Sequence, residues 1–128
     1  MQESKWNTIS QPDINKSYLV LLTYLPLKHY HTIPRFLGYT NKIKQELEKA
    51  IGLIGYSLRV QPFKKQFWTL SVWEDETALN EFAFKGFHSG VMIVLKDEIE
   101  SPKFVRWKIS GNEVPPSWEK AAEKFIST

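Results

Sequence analysis

Four short stretches of the chain have the hydrophobic spacing of β-strands. Residues 18–24 (YLVLLTY) are almost continuously apolar, which is typical of a strand covered on both faces. Residues 56–61, 67–73 and 104–109 instead alternate, so that each stretch presents a different set of side chains to either face of a sheet. Only residues 62–66 separate the second strand from the third, and this short spacing predicts an antiparallel hairpin.

A longer stretch with helical spacing lies between the first two strands. It begins at Pro34, which suits a first helical turn because the N–H group that proline lacks would have no partner there. Gly52 is placed to end the helix in a left-handed conformation. The apolar stripe of this helix is formed by Phe36, Thr40, Ile43, Leu47, Ala50 and Ile51.

A second helix is predicted after Asp75, whose short carboxylate can cap the free N–H groups of the first turn. Gly86 and Gly90 flank His88 and weaken the helix there, so we expect a kink before residues 91–99 resume a helical pattern. The inward stripe of the second helix is formed by Leu79, Phe82, Ala83 and Phe87.

The predicted order is β-α-β-β-α-β, the split β-α-β arrangement. We therefore expect an α+β, ferredoxin-like fold, with one antiparallel sheet and helices on one face, in a single domain over residues 1–128. Residues 1–17 should form an irregular lead-in, with Trp6 and Ile9 folding back on the core, and residues 112–128 a tail with a short helix. An apolar second face of the sheet would need a partner. We therefore expect a homodimer in which two sheets close as a dimeric α/β barrel.

Composition and charge exclude several classes of protein. The chain of 128 residues contains no cysteine, which excludes disulfides, thiolate nucleophiles and cysteine-ligated metals. The net charge is +3 with acids and bases interleaved, so no nucleic-acid partner is expected. The polar first residues lack the apolar stretch of a signal peptide, and the longest apolar run is too short to span a bilayer. We expect a cytoplasmic protein without a membrane span.

A series of short segments between roughly residues 18 and 120 forms a recognisable pattern: GLIGYSL at 52–58, FWTLSVWE at 67–74, Leu79, Phe82, His88, Val91, Met92, Arg106, Trp107, and PSW at 116–118. In this pattern the chain resembles the dimeric α/β-barrel superfamily, which includes antibiotic-biosynthesis-type monooxygenases and haem-degrading enzymes. It looks most similar to the spheroidene monooxygenase-like branch. The resemblance implies the fold and the homodimer, while relatives differ in chemistry.

His88 is the candidate catalytic residue. It follows a phenylalanine-rich helix and lies between two glycines, where a ligand can approach the backbone closely. The resemblance implies that His88 ligates haem iron, which a neutral imidazole can do when its other nitrogen is held by an acceptor. The alternatives are acid–base chemistry or a polar ligand contact, and a structural role in which His88 caps the kinked helix. Haem is thus one expectation for the cofactor, and no cofactor is the other.

Six further residues are predicted to contact a ligand: Tyr24, Tyr56, Arg59, Trp73, Phe84 and Phe87. The aromatic residues would line a cavity for an apolar small molecule, and the alternative is that they pack in the core. Arg59 lies in mid-strand, where an unpaired guanidinium is costly to bury, so it would bind an anionic group or pair with an acid across the dimer. His29 and His31 share a loop, but no nearby carboxylate completes a metal site, and no metal is expected.

These patterns predict a monooxygenase-like protein that acts on an apolar small molecule, with or without haem. The alternative is a non-catalytic protein of the same fold that binds a small molecule or haem. The sequence lacks the glycine patterns of serine hydrolases, P-loop proteins and dinucleotide-binding proteins, so those activities have no support.

Overall fold

The strands form one antiparallel sheet in the computed structural model, which describes residues 2–3, 5–84 and 97–127. They are β1 (Gln2–Glu3), β2 (Asn7–Thr8), β3 (Ser17–Pro26), β4 (Leu53–Gln61), β5 (Gln66–Trp73) and β6 (Lys103–Ser110). Across the sheet the long strands follow the order β4, β5, β3, β6, and β1 and β2 both pair with β4. This order, with every pair antiparallel, confirms the predicted α+β ferredoxin-like fold.

Two helices cover one face of the sheet. α1 (Ile33–Lys49) follows β3 through a 3₁₀ turn at Tyr30–Thr32, and α2 (Glu76–Phe84) follows β5. The carboxylate of Asp75 caps α2 as predicted, because its Oδ1 accepts from the backbone N–H of Ala78 at 2.8 Å. Side chains from both helices pack on alternate residues of β3, β4 and β5 in two clusters, whose buried members are Leu19, Leu47, Leu53, Tyr56, Trp73 and Leu79, and Leu27, Phe36, Phe67 and Ile99.

A third helix, α3 (Trp118–Ser127), packs on the opposite face of the sheet. Its Ala121 is buried in a cluster with Leu22 and Leu70, whose side chains point away from α1 and α2. The prediction of helices on one face concerned the two helices between the strands and holds for α1 and α2, whereas no face was predicted for the tail helix α3. α3 packs on the opposite face because it has an apolar stripe of its own, which covers the second apolar face of the same sheet.

The lead-in is less irregular than predicted, because it forms the short strands β1 and β2. Both pair with the outer edge of β4, where an unpaired strand would expose its N–H and C=O groups. Trp6 and Ile9 do fold back on the core, on opposite faces of the sheet. Trp6 lies so close to Gly55 that a Cβ atom at that position would be 2.6 Å from the indole ring.

Two helix ends differ from the prediction. α1 ends at Lys49, so Ile51 lies beyond the helix and is 91% exposed instead of joining the apolar stripe. Gly52 has a φ of +86° and turns the chain into β4, as predicted. Most of the predicted 91–99 helix lies outside the described residues. Its last residue, Ile99, is not helical: it forms a β-bridge with Leu27 and is buried in the cluster beneath α1.

None of the helices in the described ranges is long and apolar enough to cross a membrane.

Candidate functional site

The sheet separates the residues predicted to bind a ligand into two groups. Tyr56 and Trp73 belong to the face that α1 and α2 cover, whereas Tyr24 and Arg59 contact α3 on the other face. The structure therefore does not bring the predicted set together in one pocket. Phe84 is the last residue of α2. Phe87 and His88 lie outside the described residues, so their roles stay predictions.

The group beneath α1 and α2 is packed in the core. Tyr56 and Trp73 are each 1% exposed, and the indole N–H of Trp73 donates to Ser71 Oγ at 2.9 Å. Burial raises the pKa of the Tyr56 phenol, and the carboxylate of Glu48, to which the phenol donates, raises this pKa further. Both polar ends are thus engaged within the fold.

On the opposite face, a cleft of about 90 Å³ lies between α3 and the sheet. Its lining is aromatic or aliphatic apart from one guanidinium: Leu22, Arg59 and Trp68 come from the sheet, and Trp118, Ala121, Ala122, Phe125 and Ile126 come from α3. Ala121 is buried, and its small side chain lets α3 approach the sheet closely. Ala122 and Ile126 are exposed and mark the mouth of the cleft.

The floor of the cleft belongs to a row of residues that lie opposite one another on neighbouring strands. Arg59 of β4 is opposite Trp68 of β5, and Tyr24 of β3 is opposite both Trp68 and Lys103 of β6. β1 extends the row with Glu3, which is opposite Arg59. The rings of Tyr24 and Trp68 are 4.3 Å apart between their centroids. Two aromatic rings in contact, tilted by 35° to each other, therefore lie between two cations on the face that α3 covers.

Both ends of α3 are held to this row. At its start, the indole N–H of Trp118 donates to Ser57 Oγ at 3.3 Å, and the Arg59 guanidinium lies 5.0 Å from the centroid of the same indole ring. At its end, Lys103 Nζ donates to the backbone carbonyl of Phe125 at 2.7 Å, where a cation also interacts favourably with the helix dipole. α3, which covers the cleft, is thus attached to the sheet near both of its ends.

Two indole N–H groups on this face are buried without an acceptor in the part of the chain that the structure describes, those of Trp68 and Trp107. Trp68 lines the cleft, and its ring also meets Phe125 edge-on at 4.9 Å. An indole nitrogen donates only, so an oxygen or nitrogen lone pair must satisfy it. Both indole nitrogens are thus buried within this face of the sheet.

The sequence analysis missed the contribution of Trp118 and Phe125 to a site. These residues are seven apart and share an apolar stripe with Ala121 and Ala122, a spacing that is visible in the sequence. The stripe predicts a helix that packs its apolar side on another apolar surface of the protein. It does not show that the surface beneath the helix is a row of aromatic and cationic residues, because that row is assembled from four strands.

The histidine pair of the first loop lies elsewhere. His29 precedes the 3₁₀ turn and His31 lies within it; both are exposed, and their imidazole rings are stacked with centroids 5.1 Å apart. Within the described ranges, no group of three or more histidine, aspartate or glutamate residues is arranged to hold a metal ion.

Solved structures of other proteins share this fold. A putative monooxygenase from Fusobacterium nucleatum is 13% identical, with a TM-score of 0.68, and the match covers 77% of this chain but only 45% of that chain. A putative antibiotic biosynthesis monooxygenase from Nitrosomonas europaea is 12% identical, with a TM-score of 0.65 and coverage of 78% and 93%. A conserved protein from Methanosarcina mazei Go1 is 14% identical, with a TM-score of 0.63 and coverage of 70% and 90%. Similarity at these identities shows the fold alone.

The sequence comparisons add a family. No curated protein matches the chain. A family model described as "Domain of unknown function (DUF3291)" matches residues 32–127, which are 96 of the 128 residues and include β4, β5, β6, α1, α2 and α3. The chain therefore belongs to the DUF3291 family, on the fold of antibiotic biosynthesis monooxygenase-like proteins.

Proposed function

We propose that this protein binds an apolar small molecule in the cleft between α3 and the sheet. The observation that carries the proposal is the cleft itself, whose lining is aromatic or aliphatic apart from Arg59. The aromatic rings of Trp68, Trp118 and Phe125 in this lining favour a ligand with an apolar body.

The volume of the cleft limits the size of the ligand. The cleft, about 90 Å³, is smaller than the engineered cavity of roughly 150 Å³ that takes up benzene. It is also well below the roughly 300 Å³ at which ordinary ligand pockets begin. The ligand we propose therefore has a body of about one ring, part of which extends past Ala122 and Ile126 into solvent.

Blocking the mouth of the cleft tests the proposal. Ala122→Phe places a large ring at an exposed lining position, so it should abolish ligand binding without disturbing the core. Asn41→Phe is the matched control, because Asn41 is an exposed residue of α1 on the other side of the sheet. Binding of single-ring compounds is followed by tryptophan fluorescence, since Trp68 and Trp118 line the cleft. Equal affinity in both variants would place the ligand elsewhere.

Monooxygenation is the second candidate function, and the similarity to putative monooxygenases favours it. In a reaction without a prosthetic group, one atom of O₂ enters the product, the other leaves as water, and the substrate supplies the electrons. The measurement is oxygen uptake with a panel of aromatic and polyene compounds, followed by mass spectrometry of the product from ¹⁸O₂. Binding of these compounds without oxygen uptake across the panel would favour the alternative, a non-catalytic protein that binds a small molecule.

Haem does not fit the described sites. The cleft is too small for a porphyrin, and the face around Tyr56 and Trp73 is packed. We therefore derive no step through haem. The prediction for His88 is tested directly by mixing the protein with hemin: a sharp Soret band that disappears in His88→Ala would place haem at the segment around His88. The absence of a Soret band in the wild-type protein would contradict the prediction that the protein binds haem.

We also propose that the chain forms a homodimer and acts in the cytoplasm, and that it is related to the spheroidene monooxygenase-like branch. The patterns at residues 52–58 and 67–74 support the relationship and, through it, the dimer. Exposed large apolar side chains, including those of Phe63 and Phe104, support an interface as well. Because α3 occupies the second face of the sheet, the partner copy would contact α3 and the rim around it.

A further inference from the structure

We propose that one end of the molecule docks on the surface of a bilayer that contains anionic lipids. The docking surface, which we call the aromatic tip, lies where the β3–α1 loop meets the turn of the β4–β5 hairpin. Its members are Lys28, Tyr30, Phe63, Lys64 and Lys65. None of them is among the residues that line the described cleft, so the aromatic tip can be tested separately from the cleft.

The two aromatic side chains of the tip are exposed to solvent. Phe63 is 90% exposed in the turn of the hairpin, and Tyr30 is 58% exposed at the start of the 3₁₀ turn. Because the Phe63 ring projects from the surface and does not line a groove, it suits a partner that closes around it, as the fluid interface of a bilayer does. Tyrosine suits the same interface, since its ring is apolar and its hydroxyl is polar.

Contacts between the loop and the hairpin hold the tip together. The Tyr30 hydroxyl donates to the backbone carbonyl of Phe63. Lys65 Nζ donates to the carbonyl of Lys28 at 3.2 Å and lies 4.8 Å from the centroid of the Tyr30 ring. The backbone N–H of Leu27 donates to the Lys65 carbonyl at 2.8 Å. Both aromatic rings are therefore presented on one fixed surface, which lowers the entropic cost of docking.

The charge of the tip is complementary to anionic headgroups. Residues 27–32 and 62–66 contain three lysines and no acidic residue. Lys28 and Lys64 are exposed, and Lys65 is partly buried. Two aromatic rings bury little apolar area in a bilayer, so a second signal is needed for measurable binding. Lysines beside an anionic membrane surface supply that signal.

Acidic residues lie to one side of the tip. Residues 97–100 contain three of them, and the backbone carbonyl of Glu98 accepts from the Lys28 N–H at 2.9 Å. The N–H of the preceding residue, Leu27, donates to the hairpin instead, so the loop lies between the acidic segment and the hairpin. The Glu98 carboxylate also pairs with Arg35 at 4.0 Å. We therefore expect the hairpin side of the tip to face the bilayer.

Cosedimentation with vesicles tests the proposal. The wild-type chain should bind vesicles of phosphatidylcholine and phosphatidylglycerol at least about tenfold more strongly than vesicles of phosphatidylcholine alone, because the lysines are attracted to the anionic lipid. With anionic vesicles present, amide hydrogen exchange should become slower at residues 28–31 and 62–65 and stay unchanged at residues 50–53, at the other end of β4. No binding, or equal binding to both kinds of vesicle, would overturn the proposal.

Two matched pairs of variants locate the contact. Phe63→Ser should weaken binding to the anionic vesicles at least about tenfold, because its ring no longer leaves water. Ile51→Ser should not, although Ile51 is 91% exposed, because it lies at the opposite end of β4. Lys64→Gln should weaken binding about fivefold, the effect of one lysine at an anionic surface. Lys49→Gln, at the exposed end of α1, should not. Equal effects within either pair would contradict the assignment of the tip.

Light scattering separates the bilayer from a second copy of the chain as the partner of the tip. Phe63→Ser should keep the mass of the wild-type protein in solution, and circular dichroism should show that it keeps the fold, since the side chain is almost fully exposed. A lower mass in Phe63→Ser would assign the tip to a contact between copies and overturn the proposal.

Discussion

At the scale of the residue, burial decides what a polar side chain can do. Tyr56 was predicted to contact a ligand, and the structure places it in the core, 1% exposed, with its phenol donating to Glu48. Arg59, on the same strand, was also predicted to contact a ligand, and it lines a cleft. Three positions separate them, so the period of two along a strand puts them on opposite faces. Their different environments follow from what covers each face.

The raised pKa of Tyr56 predicts a loss of stability at alkaline pH. Burial favours the neutral phenol in the folded state, and Glu48 adds to the effect. Above the ordinary tyrosine pKa of about 10, the unfolded chain loses a proton that the folded chain retains. The free energy of unfolding should therefore fall with rising pH, by up to about 1.4 kcal/mol per pH unit from this group.

Urea unfolding between pH 8 and 11 measures this dependence. Tyr56→Phe should lose about 1 kcal/mol at pH 8, because a hydrogen bond is removed, and should show a shallower fall above pH 10. Glu48→Gln keeps the burial and removes the carboxylate, so its slope should lie between those of the wild-type protein and Tyr56→Phe. An unchanged slope in Tyr56→Phe would contradict the prediction.

Two glycines predict stability changes of opposite sign. Gly52 has a φ of +86°, and a Cβ there would lie 2.5 Å from Ala78 Cβ, so Gly52→Ala should destabilise the fold by about 1–2 kcal/mol or more. Gly38 lies within α1, with nothing within 4 Å of a Cβ, so Gly38→Ala should stabilise it by about 0.5–1 kcal/mol. Chemical denaturation of the two variants, measured side by side, should give shifts in opposite directions. Shifts of the same sign would contradict the backbone argument.

At the scale of the element, α3 is the feature that the sequence analysis placed least well. Its existence and its approximate bounds were predicted, and Ser117 caps it by accepting from the backbone N–H of Lys120 at 3.0 Å. The face on which it packs was not predicted. The apolar stripe of α3 can pack on any apolar surface, and both faces of this sheet are apolar. The stripe therefore does not select one face.

Trp118 is the residue whose removal should loosen α3. Trp118→Ala deletes the hydrogen bond to Ser57 and the ring against Arg59, and it should cost about 2 kcal/mol, less than a fully buried tryptophan because the side chain is partly exposed. The measurement is amide hydrogen exchange, which should become faster along α3 than along β5.

Trp118→Phe is the control for this prediction, because it keeps a ring near Arg59 and removes only the hydrogen bond to Ser57. Its effect on exchange should be the smaller of the two. Uniform acceleration over the whole chain in Trp118→Ala would mean that α3 does not open separately from the sheet.

At the scale of the whole molecule, the sheet has apolar side chains on both faces, and the chain covers both. The predicted homodimer was argued from a second face left bare, and α3 and Trp6 cover much of that face. The dimer therefore rests on the resemblance and on exposed apolar residues, and it stays a prediction. Light scattering should report about twice the 15.0 kDa of one chain. A mass equal to that of one chain would contradict the predicted homodimer.

The exposed aromatic residues offer a way to locate the dimer interface. Phe104 lies on β6 at the edge of the sheet and is 50% exposed, whereas Phe63 lies at the tip of the β4–β5 hairpin. If the edge of β6 contacts the partner, Phe104→Ser should lower the mass seen at micromolar concentration and Phe63→Ser should not. The reverse result would place the interface at the hairpin.

The sequence by itself determined the four long strands, the helices α1, α2 and α3, and the order of these elements. Periods of two and of about 3.6 residues are local properties, so they can be recognised without knowing what an element packs against. Asp75 as a cap and Gly52 as a left-handed residue follow from local geometry in the same way. Only the tertiary structure decided that Arg59, Trp68 and Tyr24 form one row beneath α3. Tyr24 and Trp68, 44 positions apart, become neighbours only when the strand order and register are set, and those depend on the packing of both faces together.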